Sequence, residues 1–149
     1  MKLRNLQLVV VEADGDEEPV EYEVTLTQYI DVDSIDVNIS NDATTVRIEL
    51  SWSVIRQPSR TGIIVAEGDI STSFTLDYEL EYDAALVEDE IESFVVHHAL
   101  ADCWPVFRQH LVTLQVMMGF VPSELPPRCP DDEAFLDAAL EEVEVEFTD

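Results

Sequence analysis

Strict alternation of apolar and polar residues runs through much of the first 82 positions of this 149-residue chain, and it constrains the fold most strongly. Apolar side chains occupy every second position along Val20–Leu26 and Val46–Val54, and also along Ile70–Tyr82 except at Thr72. Because successive side chains of a strand point to opposite faces, the pattern predicts strands with one buried and one solvated face. Another strand is predicted between Leu3 and Val11, and Val32–Ile39 either continues the second strand beyond a bend or forms a short strand of its own.

Short polar segments rich in turn-forming residues separate these runs. They are Ala13–Pro19, Ser40–Asp42 and Pro58–Gly62. Gly, Pro, Asn, Asp and Ser favour tight turns, and links of this length join antiparallel neighbours. The sequence therefore predicts an antiparallel meander of four long strands.

The spacing of the apolar residues changes after Tyr82. Apolar residues that recur alternately four and three positions apart predict a long helix with one narrow apolar seam. The seam consists of Leu100, Trp104, Phe107, Leu111, Leu114 and Met118. Gly119 is the type of residue that most often ends a helix. Pro105 requires either a kink or a new helix capped by Asp102. Residues 83–96 form either a shorter helix or an irregular lead-in.

A proline-rich loop and a short last helix complete the predicted fold. Residues 120–131 contain four prolines and exclude regular structure. A helix follows from about Asp131, with its apolar stripe at Phe135, Leu136, Ala139, Leu140 and Val143. We expect the tail from Glu144 to Asp149 to be frayed. The fold class is thus α+β, in one domain spanning 1–149: a four-stranded antiparallel meander, a long helix, a proline-rich loop and a short C-terminal helix.

The charge of the chain excludes several partners. Seven Lys and Arg residues against 33 Asp and Glu give a net charge of −26. Such a surface repels nucleic acids and anionic membranes, no apolar run is long enough to span a bilayer, and the first apolar stretch ends too soon for a secretory signal. We expect a cytoplasmic protein with reduced Cys103 and Cys129. The acidity is explained by a salty cytoplasm, by steering of a basic partner, or by imitation of the DNA backbone.

No residue pattern indicates catalysis, a metal site or a cofactor. His97, His98 and His110 lack the spacing of a zinc-binding pair, and there is no Cys-x-x-Cys. The acidic run Asp14–Glu18 lacks the terminal Glu of a calcium loop, and four glycines build no phosphate-binding loop. The sequence predicts a non-enzyme.

Apolar surface is the remaining basis for a function. The helix seam is stronger than one sheet face needs, and Met117, Met118 and Phe120 gather near its C-terminal half. These residues form either ordinary core or a surface for self-association or for a partner, and the flexible methionine side chain suits varied ligands. The residues predicted for an oligomer interface are Leu100, Trp104, Phe107, Leu111 and Leu114.

Two segments resemble the SecB-like chaperone family. The dipeptide Trp104-Pro105 is followed by Arg108 three residues after the proline, and Met118-Gly119-Phe120-Val121-Pro122 precedes Leu125-Pro126-Pro127. The family's order of elements covers the whole chain. The resemblance implies a homotetramer, a dimer of dimers, that holds unfolded polypeptides in apolar grooves without ATP. It also implies an acidic sheet face that docks a translocation motor, or a dedicated antitoxin client.

The residues predicted to bind clients lie on the third and fourth strands and around the proline loop. They are Trp52, Phe74, Leu76, Tyr78, Met118, Phe120 and Leu125. Two other functions stay open: an acidic inhibitor that imitates DNA, whose binding would be sensitive to salt, and a non-catalytic assembly subunit that uses the helix seam only to oligomerise.

Overall fold

The computed structural model describes residues 1–3, 6–12, 15–16, 18–40, 43–58, 65–79, 88–120, 122 and 125–148. Strands and helices follow one another as the α+β prediction requires, which confirms the fold class. The elements are β1 (Leu6–Glu12), β2 (Val20–Ile39), β3 (Thr44–Pro58), β4 (Val65–Tyr78), α1 (Glu88–Phe94), α2 (Leu100–Met117), α3 (Glu133–Glu141) and β5 (Val143–Phe147).

The sheet has the strand order β1-β2-β3-β4, and β5 pairs with β2. β1 and β2 are antiparallel, with Leu6 opposite Leu26. β5 runs parallel to β2, with Ile35 opposite Val143 and Ile39 opposite Phe147. The sheet is therefore mixed, and the prediction of a purely antiparallel four-stranded sheet was wrong.

The C-terminal tail accounts for this difference. Residues from Glu144 onward were predicted to fray, but they form most of β5, and the Thr148 backbone N–H donates to the Ile39 carbonyl at 2.8 Å. The alternation of Val143, Val145 and Phe147 with glutamates is typical of a strand. It is only five residues long, and a parallel partner far away in the sequence leaves no local turn signal.

The described residues form two compact units: unit 1 comprises Met1–Ile30 and Trp52–Ile70, and unit 2 comprises Asp31–Ser51 and Ser71–Asp149. The strand β2 is continuous, so of the two alternatives for Val32–Ile39 the continuation is correct. Gln28 and Ile30 are buried at even positions, whereas Ile35, Val37 and Ile39 are buried at odd positions. The single-domain boundary 1–149 stays a prediction.

In unit 1, the Trp52 side chain is buried in the core. The Trp52 indole N–H donates to the buried Gln28 amide oxygen at 3.0 Å, and this bond satisfies a polar group that would be costly to bury alone. The N-terminal segment is hydrogen-bonded to β2: the Leu3 N–H donates to the Gln28 carbonyl at 2.8 Å.

In unit 2, the sheet and α2 share a core. Val46, Ile48 and Leu50 are buried on β3 whereas Arg47 between them is exposed, as the alternation predicts. The Phe74 ring of β4 meets the Phe107 ring of α2 edge to face, with centroids 6.3 Å apart. Edge-to-face contact is a favoured geometry for aromatic pairs, so the seam of α2 packs against β4.

The long helix begins earlier than its seam indicates. α1 passes through a π-helical turn at Val95–Ala99 into α2, and the Leu100 N–H donates to the Val95 carbonyl. Ala99 precedes α2 without a side-chain cap, so Asp102 does not cap a new helix, and Pro105 lies inside α2. Pro105 is exposed, where the loss of one backbone bond is least costly. Of residues 83–96, the first five lie outside the described residues.

The ends of the helices follow their sequence signals. Gly119 has φ +81°, the left-handed conformation that glycine adopts readily after a helix, which confirms it as the end of α2. α3 starts at Glu133, and the Asp132 carboxylate accepts the Phe135 N–H at 3.2 Å. The predicted start near Asp131 is confirmed.

Candidate functional site

The five residues predicted for an oligomer interface lie within unit 2. Leu100, Trp104, Phe107 and Leu111 are at most 1% exposed, and Leu114 is half-buried. Their burial is explained by packing within the chain itself and needs no second copy. Their role in an interface stays a prediction.

The residues predicted to bind clients are not all in one place. Trp52 is 1% exposed in the core of unit 1, whereas the other six belong to unit 2. Phe74, Leu76 and Tyr78 are half-buried on one face of β4, and Phe120 is also half-buried. Leu125 is buried in the proline loop, and Met118 is 48% exposed at the end of α2.

Tyr78 joins β4 to both parts of the long helix. Its ring meets the Phe94 ring edge to face at 5.3 Å, and its hydroxyl donates to the Asp102 carboxylate at 2.7 Å. Burial first, and then the hydrogen bond to Asp102, raise the pKa of the Tyr78 hydroxyl well above its ordinary value. Tyr78 is therefore neutral and fixed in place.

The proline loop is attached to α2 by Trp104. The Trp104 indole N–H donates to the Pro126 carbonyl at 2.9 Å, and Leu125 beside it is 4% exposed. Because a tryptophan indole has a single donor, this bond sets the position of the loop along the helix.

A groove lies between α2 and this loop. Its volume is about 660 Å³, within the range typical of ligand sites. We call it the proline groove; its walls are formed by Pro105, Arg108, Gln109, Val112, Thr113, Leu125 and Pro127.

The groove continues into an exposed apolar patch at the end of α2. Val116, Met117 and Met118 are 58%, 77% and 48% exposed, and we call them the methionine ridge. Val116 lies four residues after Val112 and Met117 four after Thr113, so each lies next to the groove on the helix surface. Groove and ridge together form one surface.

A charge pattern marks this surface, although the sequence-based prediction missed it. Cys103–Ser123 is a stretch of 21 residues without Asp or Glu, the longest in a chain that has 33 of them. Charged surfaces are the rule on a strongly acidic protein, so an exposed helix face without acids is unusual. The sequence alone carries this signal, and a scan for gaps in the acidic pattern would have found it.

The two cysteines are protonated in the fold. Burial, followed by the nearby Cys129 thiol, raises the pKa of Cys103 to about 12. Burial and then the Asp131 carboxylate raise the pKa of Cys129 to about 11. Since the thiolate is the reactive form, neither cysteine is activated as a nucleophile.

The described residues contain neither a cluster of metal ligands nor a membrane-spanning helix. In the ranges given above, no three His, Cys, Asp or Glu side chains are placed to hold a metal ion. Within the same ranges, no helix is long and apolar enough to cross a membrane.

The comparisons with known proteins give one likeness. No family model and no curated protein matches the chain. Among solved structures, it is similar to the SecB-like chaperone of Mycobacterium tuberculosis, determined in complex with a ChAD peptide from the HigA1 antitoxin. The two chains are 17% identical, the alignment covers 85% of this chain and 81% of that chain, and the TM-score is 0.36.

Proposed function

We propose that this chain is a non-catalytic, ATP-independent holding chaperone, which binds unfolded or partly folded polypeptides on the surface formed by the proline groove and the methionine ridge. The observation that carries the proposal is the exposure of Val116, Met117 and Met118 inside a stretch without acids. Elsewhere in the described residues large apolar side chains such as Leu140 and Phe147 are exposed singly, but here three consecutive ones are exposed.

The chemistry of the ridge suits clients of varied sequence. Burying apolar surface contributes roughly 25 cal/mol per Å², independent of the direction from which the partner approaches. Methionine side chains are flexible and repack around differently shaped partners. Release then needs only that each contact is weak, so the chain itself has no need of nucleotide chemistry.

Client class and cellular setting belong to the same proposal. Clients are preproteins or a dedicated partner such as an antitoxin, in the cytoplasm, and a translocation motor docks on the acidic sheet face. The protein works as a homotetramer, a dimer of dimers. Phe74, Leu76 and Tyr78 support the surface from the side of β4, whereas Met118, Phe120 and Leu125 contact the client.

The test is suppression of aggregation. A chemically denatured model enzyme is diluted with and without the protein, and light scattering is followed in 0.5 M NaCl. The wild-type chain is expected to hold the client in solution, and V116E/M117E to lose most of that activity because it places charge on the ridge. L140E is the matched control, since Leu140 is 38% exposed on α3.

Two results would contradict the proposal. One is a wild-type chain that leaves aggregation unchanged. The other is a loss of activity in L140E as large as in V116E/M117E, because the effect would then belong to added charge in general. Circular dichroism checks that both variants are folded.

A further inference from the structure

Within the described ranges, the wall of the proline groove contains a single formal charge, and that charge is positive. Arg108 is exposed on the groove wall, and every other wall residue is neutral. Among the described residues, Arg108 has no ion-pair or hydrogen-bond partner. An arginine without a carboxylate is notable in a chain where acidic residues outnumber basic ones 33 to 7.

No acidic side chain in the part of the chain that the structure describes cancels this charge by direct contact. Asp102 is six residues before Arg108, about 9 Å along the helix axis, and its carboxylate already accepts the Tyr78 hydroxyl. Exposed charges separated by more than about 8 Å are largely screened at physiological ionic strength. A group bound inside the groove therefore interacts with Arg108 more strongly than with the acidic surface beyond it.

The dimensions of the groove suit an extended peptide. Pro105 and Thr113 are eight residues apart, about 12 Å along the helix. An extended chain advances about 3.3 Å per residue, so the groove spans about four residues of a client. Val112 and Leu125 line the same groove as Arg108 and supply apolar contact.

We propose that the proline groove selects client segments in which an Asp or Glu lies between apolar residues, and that Arg108 binds this carboxylate. The inference rests on the proposed function and adds a client preference to it. A guanidinium binds a carboxylate through two parallel hydrogen bonds, which a neutral amide or an ammonium group cannot reproduce. The preference is thus for anionic segments, although the protein as a whole is strongly anionic.

The experiment uses three fluorescent nonapeptides that are identical except for a central Glu, Gln or Lys among Leu and Val. Their affinities are measured by fluorescence anisotropy in 0.15 M and 0.5 M NaCl, for the wild type, R108Q, R108E and R47Q. Arg47 is the control, because it is an exposed arginine on the sheet that is paired with Glu49. The wild type and R47Q are expected to bind the Glu peptide about tenfold more tightly than the Gln peptide, in line with a hydrogen bond between charged groups.

The Arg108 variants give the decisive results. R108Q should bind the Glu and Gln peptides equally, and R108E should prefer the Lys peptide. Equal binding of Glu and Gln peptides by the wild type, or a preference for Glu that survives in R108Q, would overturn the inference. If the peptides bind without preference and aggregation is still suppressed, the inference fails and the proposed function stands. If neither peptide binding nor suppression is seen, both fail.

Discussion

Trp52 and Trp104 show how one polar atom determines the role of an aromatic side chain. Both indoles are buried, and each N–H has a partner inside the chain: the Gln28 amide oxygen for Trp52 and the Pro126 carbonyl for Trp104. A buried indole that lacks such a partner is costly. These hydrogen bonds hold both indoles in place, one in unit 1 and one at the proline loop.

The hydrogen bond between Tyr78 and Asp102 should be measurable on its own. Y78F keeps the ring contact with Phe94 and removes only the hydroxyl, so we expect the free energy of unfolding to fall by about 1 kcal/mol. Urea unfolding at pH 7 measures the change. D102N and the double variant complete a double-mutant cycle, and additive effects of the two changes would contradict a direct interaction.

The raised pKa values of the two thiols predict a loss of stability at alkaline pH. Unfolded cysteines titrate near 9.0, whereas folding raises the pKa of Cys103 to about 12. Above pH 9 the unfolded chain therefore loses this proton first, and the free energy of unfolding falls with pH until the folded thiol also titrates. Below pH 9 the contribution of the Cys103 thiol to the free energy of unfolding is fully present.

Urea unfolding between pH 8 and 10.5 tests this dependence. The free energy of unfolding of C103A should fall less steeply with pH than that of the wild type, because C103A lacks the thiol whose pKa is raised most by folding. Tyr78 adds to the fall in both proteins, so some dependence remains. Identical pH profiles for the wild type and C103A would show that Cys103 ionises as easily in the fold as in the unfolded chain.

At the scale of elements, β5 carries the clearest prediction. It covers Ile35–Ile39 of β2 along one edge, and residues Ile35, Val37 and Ile39 are buried there. A chain that ends at Glu142 should lower the melting temperature by several degrees, since it exposes this edge and its backbone groups. Thermal unfolding followed by circular dichroism measures it.

A matched pair of substitutions distinguishes the effect of losing the strand from the effect of shortening the chain. E146P removes a backbone N–H that the register directs at β2 and should destabilise, whereas E146Q at the same exposed position keeps this donor and should leave the melting temperature unchanged. If the truncated chain has the same melting temperature as the wild type, the tail contributes nothing to stability. That result would agree with the sequence-based prediction of a frayed end.

The elements also show what the sequence could reveal. The alternation on β3 and the seam of α2 are long, so their period identified both the elements and their buried faces. β5 and the π-helical turn at Val95–Ala99 were missed, because the first is short and pairs with a distant strand and the second depends on hydrogen bonds that have no periodic signature. For the site, the sequence-based prediction included Met118 and Leu125 but not Arg108 or Val116, since neither of the latter adds to the seam; the role of all four in binding stays a prediction.

For the whole molecule, the net charge of −26 predicts that salt stabilises the fold. Self-repulsion favours the expanded chain, and the screening length shrinks from about 10 Å at 0.1 M salt to about 3 Å at 1 M. We expect the free energy of unfolding to rise over this range, equally in NaCl and KCl. A stability that is flat or falls with salt would show that the acids are already separated well enough in the fold.

The same charge affects assembly, because every added copy contributes a further net charge of −26 to the oligomer. Two copies approach at least cost through surfaces without acids, and the methionine ridge lies in the longest such stretch. In 1 M NaCl we expect light scattering after size exclusion to give four times the 16.8 kDa mass of one chain.

The ridge variant tells whether assembly and client binding use the same residues. If V116E/M117E remains tetrameric but no longer holds clients, the ridge is free in the tetramer and serves clients. If it dissociates while L140E does not, the ridge lies between copies, and clients are left with the proline groove. A wild-type chain that is monomeric at every salt concentration would contradict the tetramer while leaving the groove and its single arginine unaffected.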